Sequence, residues 1–485
     1  MWSIRELAEL VLLMARGLER LLLTSRDFRE LEMGLFRLGQ ETARQLLLSA
    51  LMRLDEELME SRDKQRLKLV HKKPRTLLTW GGELQFERRY YIDRETREGR
   101  FLLDEFLGLE ARQRLSPVVE EVAVSFAVNM PYRRAAECVK ESTLGTVEVT
   151  AMQVWQAMQK TGEAAKQRSA ERRQAIFEAG EEPPGQDKLE TLNVEVDGVN
   201  VPTNRKDGHS QRLELKLAVG YTGKEETASG SIRLLDRRVH AGVSDSATFF
   251  EETVAEFAHK WDLFNCDDIT YGCDGAEWVK KGREYFPGAK FRLDPFHLRR
   301  ALREGAGHVP EIYGRVCEAI AEGVPWSTMA EILDEGIKRT RGQRRQRMRK
   351  LKQYLANNWE GIRNNPTARE LGAIEGQVFH HITRRMKRHG AHWSRNGADH
   401  MVRLLALRGN GELKEFTPHR PQRNSQLIES VAQKPMISHD PKDGTVEDVA
   451  EWLQARLPAL YGPHAGRTWI KYVLRSLVKG DRNIA

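Results

Sequence analysis

Leucines recur at three- and four-residue spacing through residues 1–62, which predicts two or three helices whose apolar stripe packs against other helices, within the chain or between subunits. Glu9, Arg16, Glu19 and Arg20 interrupt the leucine-rich run from Leu7 to Leu23, so that run reads as an amphipathic helix and not as a signal peptide or membrane span. The period then shortens. Residues 75–80 and 83–92 read as two strands of a hairpin, and Gly81-Gly82 between them are suited to the positive φ of a tight turn. Arg88 and Arg89, beside Tyr90 and Tyr91, suit either a phosphate backbone or a solvated strand edge. Helical spacing returns over 116–165. Ser116-Pro117 opens a first helix through Val128, Pro131 opens a second through Glu141, and a turn near Gly145 leads to a third from about Thr150 to Lys160. That arrangement fits a helix-turn-helix whose last helix presents Gln153, Gln156 and Lys160 to a major groove, although three-helix packing is common without nucleic acid.

A polar breaker segment, 171–190, contains Glu181-Glu182-Pro183-Pro184-Gly185. Beyond it the pattern alternates: strands at 192–196, 213–221 and 231–239, a helix at 246–260, a strand at 269–273, a helix at 276–286 and a strand at 290–293. A three-strand meander followed by βαβ units predicts the mixed sheet of an RNase H-like fold. Residues 298–370 turn helical and basic, and a further helix spans 374–388. Residues 414–446 are polar and proline-dotted, and 446–478 close the chain with amphipathic helices. The expected fold class is therefore multidomain α+β. Helices and hairpin occupy 1–110, a helix-turn-helix-like module 111–170 and a linker 171–190. The RNase H-like core runs over 191–297 and resumes at 371–413 after a helical insertion at 298–370; a linker at 414–445 leads to C-terminal helices at 446–485.

With 485 residues, 40% of them apolar, several buried cores are affordable. A net charge of +8 and a pI near 9.2 suit a polyanionic partner. The positive charge is concentrated: eight of the fourteen residues from Arg339 to Lys352 are Arg or Lys, and none is acidic. Arg339, Arg341, Arg344, Arg345 and Arg349 of this block, with Arg384, Arg385 and Arg388 further on, are candidates to neutralise DNA phosphates. Trp326, Trp359 and Trp393 are candidates either to stack on an extruded base or to fill cores. Cys138, Cys266, Cys273 and Cys317 make no disulfide framework and no CxxC pair, so a reducing cytoplasm is expected. His389 and His392, near His380 and His381, lack the cysteines or carboxylate pattern of a zinc site. No Walker loop or dinucleotide fingerprint is present, so no nucleotide cofactor is expected.

Two of the four Asp-Gly pairs stand apart from ordinary turns. Asp197 and Asp274 each end an apolar strand, and neighbouring strands would bring both carboxylates to one sheet edge. Carboxylates so close repel unless a divalent cation joins them. Magnesium suits such a site because it accepts a few carboxylates and completes its shell with water and phosphate oxygens, and a pair of ions supports in-line phosphodiester displacement. Glu375, opening the helix after the basic block, is placed to be a third ligand. Position alone equally allows a carboxylate that merely favours the helix dipole.

The runs Val196-Asp197-Gly198-Val199, Lys216-Leu217-Ala218-Val219-Gly220-Tyr221, Asp274-Gly275-Ala276-Glu277-Trp278, Leu293-Asp294-Pro295-Phe296-His297-Leu298 and His392-Trp393-Ser394-Arg395 resemble, in order and spacing, a family of bacterial insertion-sequence transposases related to the Mutator-like DDE transposases, whose members were long catalogued as uncharacterised proteins. The resemblance runs from the hairpin to about residue 410. It implies a DDE triad at Asp197, Asp274 and Glu375 binding two Mg2+ ions, with Mn2+ as a substitute, and a helical insertion before the glutamate. Asp294-Pro295-Phe296-His297 is similar to the C/D-x-x-H signature of the wider group, which implies that Asp294 and His297 lie near the site and help position DNA; a histidine satisfied by backbone is the alternative. The expected activity is metal-dependent strand cleavage and strand transfer, with element ends and target DNA as partners, in a dimer or larger assembly, without membrane attachment. The rivals are an RNase H-like nuclease without strand transfer and a non-catalytic DNA-binding derivative.

Overall fold

In the computed structural model the described residues are 4–204, 212–228, 230–363, 371–388, 390–414 and 416. The linker and helices expected over 414–485 fall outside them except for Lys414 and Phe416, and so do the Asp207-Gly208 pair and His389. Contacts divide the chain into two units, Met1–Glu9 with Gln422–Ala485, and Leu10–Pro421; the fold described is that of the second.

The N-terminal helices are α1 (Ile4–Thr24) and α2 (Phe28–Ser61), the latter capped by Asp27, which accepts from the Glu30 amide. A Cβ on Gly17 would lie 2.4 Å from Leu38 Cδ1, and one on Gly34 2.2 Å from Leu21 Cδ2, so each glycine leaves room for a leucine of the facing helix. Strands β1 (Leu67–Thr79) and β2 (Gly82–Asp93) pair antiparallel across Trp80-Gly81, with β3 (Gly99–Arg100) beside β2. Only the second glycine takes positive φ, +112° at Gly82. Arg89 is spent internally on Asp55, 2.7 Å away, and Arg75 and Arg88 both pair with Asp104 of α3 (Leu102–Leu107). These pairs bind the hairpin to its helices.

Helices α4 (Pro117–Ala127), α5 (Tyr132–Ser142) and α6 (Ala151–Phe177) follow: Ser116 caps the first as expected, accepting from Val119, and Thr150 and Gln153 close a capping box on the third that the sequence reading did not include. The next strands are β4 (Thr191–Pro202), β5 (Arg212–Tyr221), β6 (Gly223–Glu226), β7 (Ile232–Leu235) and β8 (Arg238–Gly242). After α7 (Ser246–Ala258) come β9 (Asp268–Cys273), α8 (Glu277–Lys281) and β10 (Lys290–Leu293). Five of these strands form a mixed sheet in the order β10-β9-β4-β5-β8; β4, β5 and β8 are an antiparallel meander, and β9 and β10 lie parallel to β4. The single strand expected over 231–239 is two strands. Asp236 breaks it at φ +45° and accepts from Trp261 Nε1 at 2.7 Å, so β7 folds back on β6 while β8 enters the sheet.

A helical insertion follows β10: α9 (Pro295–Ala306), α10 (Pro310–Ala321), α11 (Trp326–Arg339), α12 (Gly342–Asn357) and α13 (Trp359–Arg363). The helix expected over 374–388 is α14 (Ile374–Val378), one π-helical turn at Phe379–Thr383, and α15 (Arg384–Met386). Helix α16 (Arg395–Gly409) ends the described core.

Strand alternation sends the sheet's two faces to different cores. Val199, Val201, Leu217, Val219 and Tyr221 pack with α4–α6, α14 and α16. Val194, Val196 and Ala218 pack with Phe249, Phe250, Phe257 and Trp261 and with the insertion helices. This layering explains why α6 continues to Phe177, past the expected end at Lys160 and into the breaker segment. Ala165 is buried in the first of these cores, and Arg172 and Arg173 pair with Glu256 and Glu251 of α7 at 2.6 and 2.9 Å. Among the described residues no helix is long and apolar enough to cross a membrane.

Candidate active site

Register assembles the site. Val196 of β4 stands opposite Cys273 of β9, and Cys273 stands opposite Leu293 of β10. The next residue in each case is an aspartate, so Asp197, Asp274 and Asp294 stand side by side where the parallel pairing ends, with adjacent strands about 4.8 Å apart; the strand expected to stop at 196 runs on beside β5 to Pro202, which leaves Asp197 within β4. Each aspartate uses Oδ1 to hold a backbone amide just after it, within β4 for Asp197 and at the turn or helix start that follows for Asp274 and Asp294. Asp197 accepts from Gly198 N at 2.7 Å, Asp274 from Ala276 N at 2.8 Å, and Asp294 from Phe296 N at 2.6 Å. Their second oxygens receive no hydrogen bond from the described residues; that of Asp294 is fully buried. Gly275 turns the chain at φ +91°, and the Tyr354 hydroxyl of α12 donates to the Asp274 carbonyl at 2.9 Å, which moors the insertion to the site.

Two further groups close on this edge. His297, one turn into α9, has Nδ1 3.9 Å from Asp294 Oδ1 and Nε2 3.6 Å from Glu375 Oε1. The Asp294 carboxylate holds this imidazole above its ordinary pKa against burial, and Asp197 and Asp274 add to the effect. Burial pushes Asp197 up to about 7; the Gly198 amide and His297 oppose this, while Asp274 and Glu375 reinforce it. The three nominated carboxylates thus share one electrostatic environment, with Glu375 drawn to His297. Among the described residues no three His, Cys, Asp or Glu side chains are gathered tightly enough to hold a metal ion as they stand.

One acidic residue escaped the sequence reading. Glu195, two residues before Asp197 on the same sheet face, is 1% exposed. It accepts from Tyr221 Oη at 2.6 Å and from the amides of Gly372, Ala373 and Ile374 at 2.9, 3.1 and 3.3 Å, at the start of the helix that carries Glu375. Burial raises its pKa against these donors. A carboxylate within an otherwise apolar strand was the available signal.

The nucleic-acid candidates divide by what they already hold. Arg341, Arg344, Arg349, Arg384 and Arg388 are exposed, and none makes an ion pair among the described residues. Arg339 pairs with Glu311 and Glu335. Arg345 donates to the carbonyls of Ile337 and Thr340. Arg385 donates to the Ala127 carbonyl beside the rings of Tyr132 and Trp393. On α6, Gln153 is occupied by its capping box and Lys160 pairs with Glu110 and Glu120, whereas Gln156 is exposed. The tryptophans pack inward: Trp326 and Trp359 meet edge to face at 5.3 Å, and Trp393 is buried. The exposed aromatic rings flanking the carboxylates are instead Phe296 and Phe379.

The profile of an "Uncharacterised protein family (UPF0236)" matches residues 23–418. A UPF0236 protein of Caldanaerobacter subterraneus subsp. tengcongensis, whose name joins eleven locus designations, is 25% identical over 405 residues, 82% of this chain and 81% of the relative. A UPF0236 protein in a vanSb 3' region of Streptococcus gallolyticus is 26% identical over 404 residues, 81% of this chain and 85% of the relative.

Proposed function

This chain belongs to the UPF0236 family, and from its site we propose that it is a DNA transposase of an insertion sequence, cutting and joining strands with the carboxylates of Asp197, Asp274 and Glu375. The observation that carries the reading is the row of aspartates where the parallel pairing of three adjacent strands ends, with Asp197 pushed up to about 7 by burial and further by Asp274 and Glu375. Such crowding of acids costs a protein free energy unless a cation relieves it. The meander followed by two parallel strands is also the order expected of an RNase H-like core, which supports that finer fold reading.

The donor set fits Mg2+ or Mn2+: every candidate ligand is a hard oxygen, and the second oxygens of Asp197 and Asp274 are held by no described donor. Asp197, Asp274 and Glu375 would hold the ions. Bound there, a metal pair activates the attacking oxygen and neutralises the leaving one in a phosphodiester displacement. The chain's own part is positioning. The amides just after Asp197 and Asp274 fix one oxygen of each carboxylate, and Tyr354 fixes the backbone of the second. His297, whose pKa Asp294 holds above its ordinary value, stands 3.6 Å from Glu375, where it would help position DNA. Arg341, Arg344, Arg349, Arg384 and Arg388 neutralise flanking phosphates. Joining two DNA ends calls for two or more copies of the chain. Eleven loci under one relative's name suit a gene that multiplies within its genome.

The test is incubation of the full chain with labelled element ends, target DNA and Mg2+. Joined product is expected, and Asp197→Asn, Asp274→Asn and Glu375→Gln should each abolish it. Cleavage without joining would indicate a nuclease; end binding that survives all three substitutions, with no chemistry in the parent chain, would indicate a non-catalytic binder.

A further inference from the structure

Glu195 is buried at a position where an apolar side chain would pack more cheaply, since removing a carboxylate from water costs several kcal/mol. It is kept there by four donors: the Tyr221 hydroxyl, and three successive amides from Gly372 to Ile374. Those amides belong to the stretch on which the chain returns from the insertion, immediately before Glu375. The stretch is gripped at two more points. Lys224 Nζ donates to the Leu371 carbonyl at 2.9 Å. Leu371 packs over Gly272, the register partner of Glu195 on β9, where a Cβ would lie 3.1 Å from Leu371 Cδ1 and 3.1 Å from Glu195 Cγ. A glycine opposite the carboxylate therefore makes the room that the returning segment occupies.

We propose that Glu195 is a positioning residue: by fastening residues 372–374 to the strand that carries Asp197, it sets where Glu375 stands relative to Asp197 and Asp274. The third carboxylate is 178 residues from Asp197 and arrives through an insertion, so nothing in the local chain fixes its distance; Glu195 supplies that constraint across the sheet. Glu195 touches neither DNA nor ion itself. The inference rests on the transposase reading only in taking Glu375 as a metal ligand.

Mn2+ binding to the full chain, followed by the electron paramagnetic resonance of free Mn2+ and without DNA, tests it apart from activity. Glu375→Gln is expected to weaken binding, and Glu195→Ala to weaken it to a similar degree, roughly tenfold, as happens when a group orienting a metal ligand is lost. Glu195→Gln keeps the volume and one accepting oxygen, and should recover part of the loss. Because both residues act through one carboxylate, Glu195→Ala combined with Glu375→Gln should be no worse than either alone. Tyr221→Phe, which removes one donor from Glu195, should give a smaller loss of the same kind and carries the comparison if the alanine chain does not fold. Glu195 and Tyr221 variants that melt lower but bind Mn2+ like the parent, while Glu375→Gln is weakened, would overturn the proposal and leave Glu195 a structural residue. So would additive losses in the double variant. Parent-like Mn2+ binding by Glu375→Gln would remove the triad reading itself, and the positioning role with it.

Discussion

A carboxyl that titrates near 7 makes Asp197 the residue at which site chemistry and folding stability pull against each other. Its ordinary value is 3.8, so between about pH 4 and 7 the unfolded chain releases this proton while the folded chain retains it. Folding is favoured by the group at low pH, and that contribution is lost as pH rises through 7. Asp197→Asn should therefore melt like the parent near pH 4 but about 2–4 °C higher at pH 8 without metal, the shift expected of ~1 kcal/mol in a domain of this size. Excess Mg2+ should raise the melting temperature of the parent and not of the variant, because only the parent offers the charged ligand. A variant advantage equal at both pH values would mean that Asp197 is not the group being relieved. Gly275 poses a steric problem beside the second aspartate. Its φ of +91° disfavours a side chain, and a Cβ would meet Asn358 Oδ1 at 2.6 Å. Gly275→Ala should cost about 2 kcal/mol in urea unfolding and displace Asp274 enough to slow cleavage. Adding Asn358→Ala should return part of the stability by removing the clash, while the part due to φ remains.

At the level of elements, what sequence could reveal depended on how far apart the deciding residues lie. The cap at Ser116, the helix start at Thr150, the strand at 290–293 and the strand-end position of Asp274 follow from neighbours a few residues away, and they were readable; Asp197 was not, because pairing with β5 carries its strand on to Pro202. The break of the 231–239 strand was not, because Asp236 is held by Trp261, 25 residues on. Nor was Glu195, whose partners lie up to 179 residues away. The arginines were visible as charge but not as partners, so Arg339, Arg345 and Arg385 looked like DNA ligands although carboxylates, carbonyls and aromatic rings already hold them. The same blindness hid the network that joins α7 to α16. Arg403 lies 2.9 Å from Glu252 and 3.1 Å from Asp399, all three being buried, and His240 lies 3.3 Å from Glu252. Burial works to raise Glu252, but His240 and Arg403 overcome it and keep the carboxyl below its usual range. Arg403→Met leaves two buried acids without their cation and should cost about 3–5 kcal/mol in denaturant unfolding. Arg403→Met with Glu252→Leu removes one of those stranded charges as well, and should recover at least half of that loss. A single variant that unfolds like the parent would mean that packing alone joins these helices.

Across the whole molecule, a net charge of +8 matters less than where uncompensated charge faces water. Several of the cations that composition would count towards DNA are neutralised at home, as Lys352 is by Asp334 at 2.6 Å and Arg315 by Glu335 at 2.6 Å. At α12, Arg347 and Lys350 are exposed as well, but the three arginines expected to meet phosphate, Arg344 and Arg349 on the helix and Arg341 at its cap, stand out from a helix whose Met348, Leu351 and Leu355 are buried and whose Tyr354 is bonded to the Asp274 backbone. That placement makes α12 both a wall of the site and a strip of positive charge leading to it. If these three arginines each neutralise one phosphate, changing all of them to glutamine should lower the slope of log K against log salt by about 2.7, at roughly 0.9 per contact on duplex DNA. The melting temperature should stay near that of the parent, since none of the three makes an ion pair within the described fold. Arg339→Gln with Arg345→Gln should do the reverse: the acids and carbonyls they serve lose their partners, so stability falls while the slope holds. A slope unchanged by the first set, measured by fluorescence anisotropy from 50 to 300 mM salt (about a sixfold range, wide enough for a change this large), would take DNA off this face of the insertion and leave Arg384 and Arg388 to carry the phosphate contacts.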